Sequence, residues 1–232
     1  MPDSDAPDRY AVVGNPVAHS LSPRIHAEFA RQTGQWLSYE AIEIATDAFA
    51  AGVANLQRQG YRGLNVTVPF KREAWELCDS LSNRAEIAGA VNTLILGEDG
   101  AVQGDNTDGV GLVRDLVHNL EIDLADKHIL LLGAGGAARG VLEPLLAESP
   151  ASLTIANRTL DRAHALARDF KHIGEIQVFS LRSKLVKRKD RGNHAAVYII
   201  PSRRFPTDYL LPVPGRRIRR GRRNQFAEIT FD

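Results

Sequence analysis

The sequence predicts an α/β protein of two domains, the second built as a doubly wound sheet, and three observations carry that expectation. Short apolar runs alternate with helically spaced runs from about residue 10 to residue 179, the pattern left by strands joined through helices. A glycine-rich loop, Gly133 to Ala138, directly follows one apolar run and opens a helix, the context of a strand-to-helix turn in such a sheet. The charge changes sign near residue 180. Residues 1–180 hold 15 Lys+Arg and 24 Asp+Glu, whereas residues 181–232 hold 14 and 4, and so steep a break marks a boundary. The expected divisions are 1–108, 109–180 and an atypical basic segment, 181–232.

Each element has a local reason. Tyr10 to Val13 is a short apolar strand ending at Gly14. Pro23 to Thr33 is a helix, with Pro at its first position and Ser22 as N-cap. Tyr39 to Ile44 alternates as a strand. Phe49 to Gln59 has helical spacing and stops at Gly60. Gly63 to Val68 is the next strand, and Pro69, which cannot donate to a ladder, turns the chain into a helix over Lys71 to Asp79. Thr93 to Leu96 and Ala101 to Gly104 form a hairpin around Glu98-Asp99-Gly100. Gly109 to Asn119 is a linking helix. The buried strand Ile129–Leu132, the loop and helix from Gly133 to Leu146, the strand Ser152–Ala156, the helix Leu160–Phe170 and the strand Ile176–Phe179 begin a Rossmann-like domain.

Composition narrows the class. Hydrophobic residues make up 44% of the 232, enough for a sizeable core, and Cys78 is the single cysteine, so no internal disulfide forms and a reducing, cytoplasmic setting is expected. No apolar stretch is long enough for a bilayer, and the acidic N-terminus is unlike a signal peptide.

Five runs carry the chemistry. Residues 14–23 read Gly-Asn-Pro-Val-Ala-His-Ser-Leu-Ser-Pro, and residues 63–71 read Gly-Leu-Asn-Val-Thr-Val-Pro-Phe-Lys. Residues 89–93 read Gly-Ala-Val-Asn-Thr, 104–109 Gly-Asp-Asn-Thr-Asp-Gly, and 133–138 Gly-Ala-Gly-Gly-Ala-Ala. Strand alternation points Asn65 and Thr67 to one side, unless Asn-Val-Thr is merely an edge strand. Polar loops of this kind suit a small polyhydroxylated molecule, because each hydroxyl needs a partner once water is excluded.

In these runs, their order and their spacing, residues 9–179 resemble the shikimate dehydrogenase family. The resemblance implies NADP-dependent reduction of 3-dehydroshikimate to shikimate, the fourth step towards chorismate and the aromatic amino acids. It implies Lys71 and Asp108 as the family's acid–base pair, with Lys71 giving a proton to the ketone oxygen as hydride arrives and Asp108 orienting Lys71 and the substrate hydroxyl. The reverse reaction requires a neutral Lys71. Ser20 and Ser22 correspond to the carboxylate-holding hydroxyls, and Asn65, Thr67 and Asn92 to the groups that bind ring hydroxyls. Asn15, His19 and Thr107 are lesser candidates. Structural alternatives stand beside these roles: a plain Lys71–Asp108 salt bridge, helix capping by Ser22, turn-fixing by Asn92.

The loop Gly133, Ala134, Gly135, Gly136 and Ala137 lets a pyrophosphate approach the backbone at a helix N-terminus. An NAD site usually carries an acid after the second strand. Here Asn157, Arg158 and Thr159 stand there, with Arg162 one turn on, a set that favours the 2′-phosphate of NADP unless the arginines only cover a helix face. The family's own NADP clamp is an Asn-Arg-Thr run of this kind. No metal is expected.

After Ser180 the family's Asn-Ala-Thr/Ser run, Gly-x-Gly-Met stretch and Gln-Ala helix are absent, and Gln225 is not matched to the family's substrate glutamine. The segment instead contains Arg216-Arg-Ile-Arg-Arg-Gly-Arg-Arg223. It reads as a shifted reading frame or an unrelated fusion, which would leave the nucleotide domain incomplete and one side of its sheet unpaired. Rival readings are a catalytically impaired remnant, a quinate-using paralogue (Ser22, where Thr would suit quinate, favours shikimate), and nucleic-acid binding through the basic tail. No membrane partner is expected, and the family occurs as monomers or dimers.

Overall fold

The computed structural model describes residues 6–180 and the strands Ala195–Ile200 and Ala227–Phe231. The Arg216–Arg223 run and Gln225 lie outside the described residues. The chain divides into two units, Met1–Thr107 and Asp108–Asp232.

The first unit runs β1 (Asp8–Gly14), α1 (Ser22–Thr33), β2 (Leu37–Glu43), α2 (Phe49–Arg58), β3 (Tyr61–Val66), α3 (Lys71–Leu77), β4 (Ser80–Leu81), α4 (Asn83–Ala88), β5 (Thr93–Leu96) and β6 (Val102–Asp105). Its sheet has the order β2-β1-β3-β5-β6-β4. Strands β2, β1 and β3 are mutually parallel, and the β5–β6 hairpin joins β3 antiparallel. Strand β3 is therefore interior, with Asn65 between Val12 and Thr93, which removes the edge-strand alternative. Phe70 is wholly buried and stacks on Phe49 at 4.7 Å. That anchor fixes the start of α3, one residue before Lys71.

Two expectations about this unit need correction. Ser22 does not cap α1: the cap position is Leu21, with no side-chain hydrogen bond, because the Ser22 hydroxyl instead accepts from Ser20 Oγ at 3.1 Å. Helix α4 was not expected from the sequence. At six residues it is too short to show periodicity, yet its ends carry ordinary signals, with Ser82 Oγ accepting from the Ala85 N–H at 3.2 Å and Gly89 left-handed at φ 58°.

The second unit runs α5 (Asp108–Arg114), a π-helical turn (Asp115–Asn119), β7 (His128–Leu132), α6 (Gly136–Ala147), β8 (Ser152–Asn157), α7 (Leu160–Asp169), β9 (Ile176–Ser180), β10 (Ala195–Ile200) and β11 (Ala227–Phe231). The sheet order is β11-β10-β7-β8-β9. Strands β7, β8 and β9 are parallel, whereas β10 is antiparallel to β7 and β11 to β10. The expectation of an unpaired side fails here. The run Ala195-Ala-Val-Tyr-Ile-Ile200 is apolar and rich in strand formers, and it satisfies the outer N–H and C=O groups of β7. An antiparallel neighbour needs no crossover helix.

Helices α5 and α6 meet through glycine. A Cβ added to Gly109 would lie 2.3 Å from the Gly140 carbonyl oxygen and 2.6 Å from Pro144 Cγ, whereas one added to Gly111 meets nothing within 4 Å. Gly109→Ala is expected to cost about 1–3 kcal/mol, since backbone cannot yield as a side chain does. Gly111→Ala, in the same helix, should stabilise by about 0.5–1 kcal/mol. Thermal melting of both variants checks this pair, and equal effects would refute the close packing.

Candidate functional site

The polar side chains of the first unit form two sets of hydrogen bonds, a Ser20–Ser22 pair and a chain that runs from Tyr39 to Thr107. Ser20 Oγ donates to Ser22 Oγ at 3.1 Å. Tyr39 Oη donates to Asn65 Oδ1 at 2.6 Å. Asn65 Nδ2 reaches Thr93 Oγ1 at 3.3 Å, and Thr93 Oγ1 donates to Asn92 Oδ1 at 2.9 Å. Asn92 Nδ2 then donates to Thr107 Oγ1 at 3.1 Å, while Asn92 Oδ1 also accepts the Thr107 N–H at 3.0 Å. The structure thus pairs Ser20 with Ser22, and joins Asn65 to Asn92 through Thr93. It also gives Asn92 the turn-fixing role that the sequence left open.

Thr67 lies beside Gly14, where an added Cβ would sit 2.5 Å from Thr67 Cγ2. Its N–H donates to Val13 at 2.9 Å. The Asn15–Pro16 and Val68–Pro69 peptides are both cis. Lys71 opens α3, only 5% exposed, and its carbonyl accepts the Val91 N–H at 2.8 Å. Asn15 serves the fold, donating from Nδ2 to the Ile44 carbonyl at 2.9 Å, and His19 is exposed.

Sequence reasoning missed Tyr39 and Asp105. Tyr39 stands in an alternating strand, and only the cross-sheet approach of β3 reveals its partner. Burial pushes its phenol pKa up, which keeps it a neutral donor. The Asp105 carboxylate accepts from Ser82 Oγ at 2.6 Å, from Arg84 Nε at 2.6 Å and from the Asn106 N–H at 2.7 Å, and Arg84 Nη2 closes the pair. Asn106, 2% exposed, donates to the Ala90 carbonyl at 2.9 Å. These bonds fix the loop that delivers Thr107 and leads into Asp108, the half-buried first residue of α5.

In the second unit, Gly133, Ala134 and Gly135 join β7 to α6, with Gly133 at φ 105° and its N–H held by the Ala156 carbonyl at 2.9 Å. A Cβ on Gly135 would meet nothing, and no side chain caps α6, so the first N–H groups of the helix are available to an anion. Gly136 begins that helix, and Ala137 is buried beneath it. Asn157 ends β8 and donates to the Thr159 carbonyl at 2.8 Å. Thr159 holds the cap position of α7 without a side-chain bond. Arg158 and Arg162 are exposed and form no ion pair with any described residue. Open helix N–H groups and two available guanidinium groups, with no acid at the end of β8, fit a dinucleotide bearing a 2′-phosphate. Among the described residues no His/Cys/Asp/Glu group could hold a metal ion, and no helix is long and apolar enough to cross a membrane.

Comparison with known proteins matches the two units separately. Residues 12–94 fit the shikimate dehydrogenase substrate binding domain, and residues 115–190 fit shikimate / quinate 5-dehydrogenase. The shikimate dehydrogenase (NADP(+)) of Aromatoleum aromaticum is 64% identical over 164 residues, which are 71% of this chain and 58% of that protein. That of Thioalkalivibrio sulfidiphilus is 53% identical over 207 residues, 89% of this chain and 74% of the relative, so its alignment reaches past Ser180. The Thermus thermophilus shikimate 5-dehydrogenase, solved in complex with NADP(H) and shikimate, superposes with a TM-score of 0.67 at 38% identity, covering 74% of this chain and 62% of that one. The Aquifex aeolicus shikimate dehydrogenase gives a TM-score of 0.70 at 33% identity, covering 80% and 67%. The chain thus spans about 58–74% of the length of these relatives. The identity, the order of the two matched domains and the shared architecture place it plainly: the chain belongs to the shikimate dehydrogenase family.

Proposed function

We propose that the chain reduces 3-dehydroshikimate to shikimate with NADPH, reversibly, on the route to chorismate and the aromatic amino acids. The observation that supports this best is the polar chain from Tyr39 to Thr107 and the Ser20–Ser22 pair, on a unit that matches the family's substrate-binding domain. In this reading Ser20 and Ser22 hold the substrate carboxylate, and Asn65, Thr67 and Asn92 hold ring hydroxyls. The chemistry supplied when NADPH is bound is a hydride for the carbonyl carbon. Lys71 gives its proton to the carbonyl oxygen as negative charge builds there, and Asp108 orients the hydroxyl and the ammonium. The first N–H groups of α6 take the pyrophosphate, and Arg158 and Arg162 take the 2′-phosphate.

The test is the full chain mixed with NADPH and 3-dehydroshikimate, following the absorbance of the reduced nicotinamide and the appearance of shikimate. Turnover with NADPH well above that with NADH supports the reading. A folded chain that neither oxidises NADPH nor binds shikimate refutes it. The double variant Arg158→Ala with Arg162→Ala should weaken NADPH binding by about tenfold or more and leave NADH binding unchanged. We place the protein in a reducing cytoplasm, where its Cys78 thiol, pushed up to about 11 mainly by burial, stays protonated and inert.

A further inference from the structure

His26 belongs to no motif assigned above, yet its ring packs on Tyr39, the first member of the polar chain. It lies on α1, half-buried. Its imidazole stacks on the Tyr39 ring, with centroids 3.9 Å apart and an interplanar angle of 11°. Its Nδ1 is 3.0 Å from the Ser22 carbonyl oxygen. A carbonyl only accepts, so Nδ1 carries the proton in this contact. His26 is therefore fixed at its edge by the backbone of one candidate carboxylate-binding residue and at its face by Tyr39.

The consequence lies in hydrogen-bond direction. Tyr39 has one proton and gives it to Asn65 Oδ1 at 2.6 Å. Asn65 is then held with its Nδ2 towards Thr93 and the Asn92 carbonyl. If the Tyr39 ring rotated out of its stack, Asn65 would lose that donor, and its orientation would be released.

We propose that His26 is a positioning residue of the substrate site, acting through the Tyr39 ring to fix the orientation of Asn65. This rests on the proposed function. A flat aromatic ring at position 26 should preserve most of the effect, because stacking needs a face and not a charge.

The test uses full-length chain labelled with 3-fluorotyrosine, the Tyr39 signal being identified by its loss in Tyr39→Phe. The variants are His26→Ala and His26→Phe, and shikimate and NADP binding are measured by calorimetry. The expected result is a displaced Tyr39 signal and about tenfold weaker shikimate binding in His26→Ala. Both should be largely restored in His26→Phe, with NADP binding unchanged throughout. An undisplaced Tyr39 signal in His26→Ala overturns the proposal. So does a displaced signal with wild-type shikimate affinity, and so does equal loss in His26→Ala and His26→Phe. Failure of the wild-type chain to bind shikimate would instead refute the proposed function, and the role of His26 with it.

Discussion

Lys71→Ala is expected to lower turnover by about 10²–10⁴-fold, the usual worth of a positioned proton donor. The placement of Lys71 carries the argument. It is the first residue of α3, and the preceding Phe70 is wholly buried against Phe49. Its own carbonyl is tied to Val91, so the backbone under the side chain has little freedom. A lysine 5% exposed is costly to bury unless its charge is used or compensated. Loss of the ammonium should appear in kcat, while shikimate binding, which we propose to rest on Ser20, Ser22, Asn65 and Thr67, should fall less. Lys71→Met keeps the apolar stem and should show the same kinetic loss with less change in melting temperature. Steady-state kinetics beside calorimetric binding makes the separation, and a Lys71→Met enzyme with wild-type kcat would remove Lys71 from the mechanism.

The second large effect is on stability and its pH dependence. Asp105 has its carboxyl held at about 2, mainly by the Arg84 guanidinium, with help from Ser82 and the Asn106 N–H and against the cost of burial. A carboxyl whose folded pKa is depressed contributes stability above its unfolded value near 4, and loses it as pH falls through the folded value. The window is therefore about pH 4 down to 2. The full linkage would be about 2.5 kcal/mol. Arg84 is 43% exposed on its side chain, so solvent screening reduces the expected share to about 1–2 kcal/mol. Asp105→Asn should lose that amount at neutral pH and show a flatter stability profile between pH 4 and 2. Because Asp105 also fixes Asn106 and the loop into Thr107, turnover should fall as well. Urea unfolding at neutral and acid pH checks this, and an unchanged acid profile in Asp105→Asn would show that the carboxylate is not the titrating group.

Most of the fold was legible because its signals are local. Gly34, Gly60 and Gly100 have the positive φ that turns demand, and the short, mainly apolar β7 and β8 runs are bounded by turns and helices in the way buried strands are. The elements missed were short or unsupported by pattern. Helix α4 is a single capped turn and a half, and β4 is two residues long. Strands β10 and β11 pair with partners far away in sequence, so no local periodicity records them.

The site divides in the same way. Ser20, Ser22, Asn65, Thr67, Lys71, Asn92 and Asp108 could be proposed from the sequence, because they stand in polar runs that resemble the family's motifs. What each amide or hydroxyl bonds could not. Ser22 looked like a helix cap and became the acceptor of the Ser20 hydroxyl. Tyr39 and His26 looked like ordinary strand and helix residues until β2 and α1 brought their rings face to face. The sequence by itself determined the alternation of strands and helices, the glycine-rich turn, the polar loops and the basic break near residue 180, since these depend on residue type and spacing along the chain. The tertiary structure alone decided that β10 closes the edge of β7, that Asp105 answers to Arg84, and that Tyr39, Asn65, Thr93, Asn92 and Thr107 share one directed set of hydrogen bonds. Such pairings join residues as far apart in sequence as His128 and Ile200, and no local pattern encodes those distances.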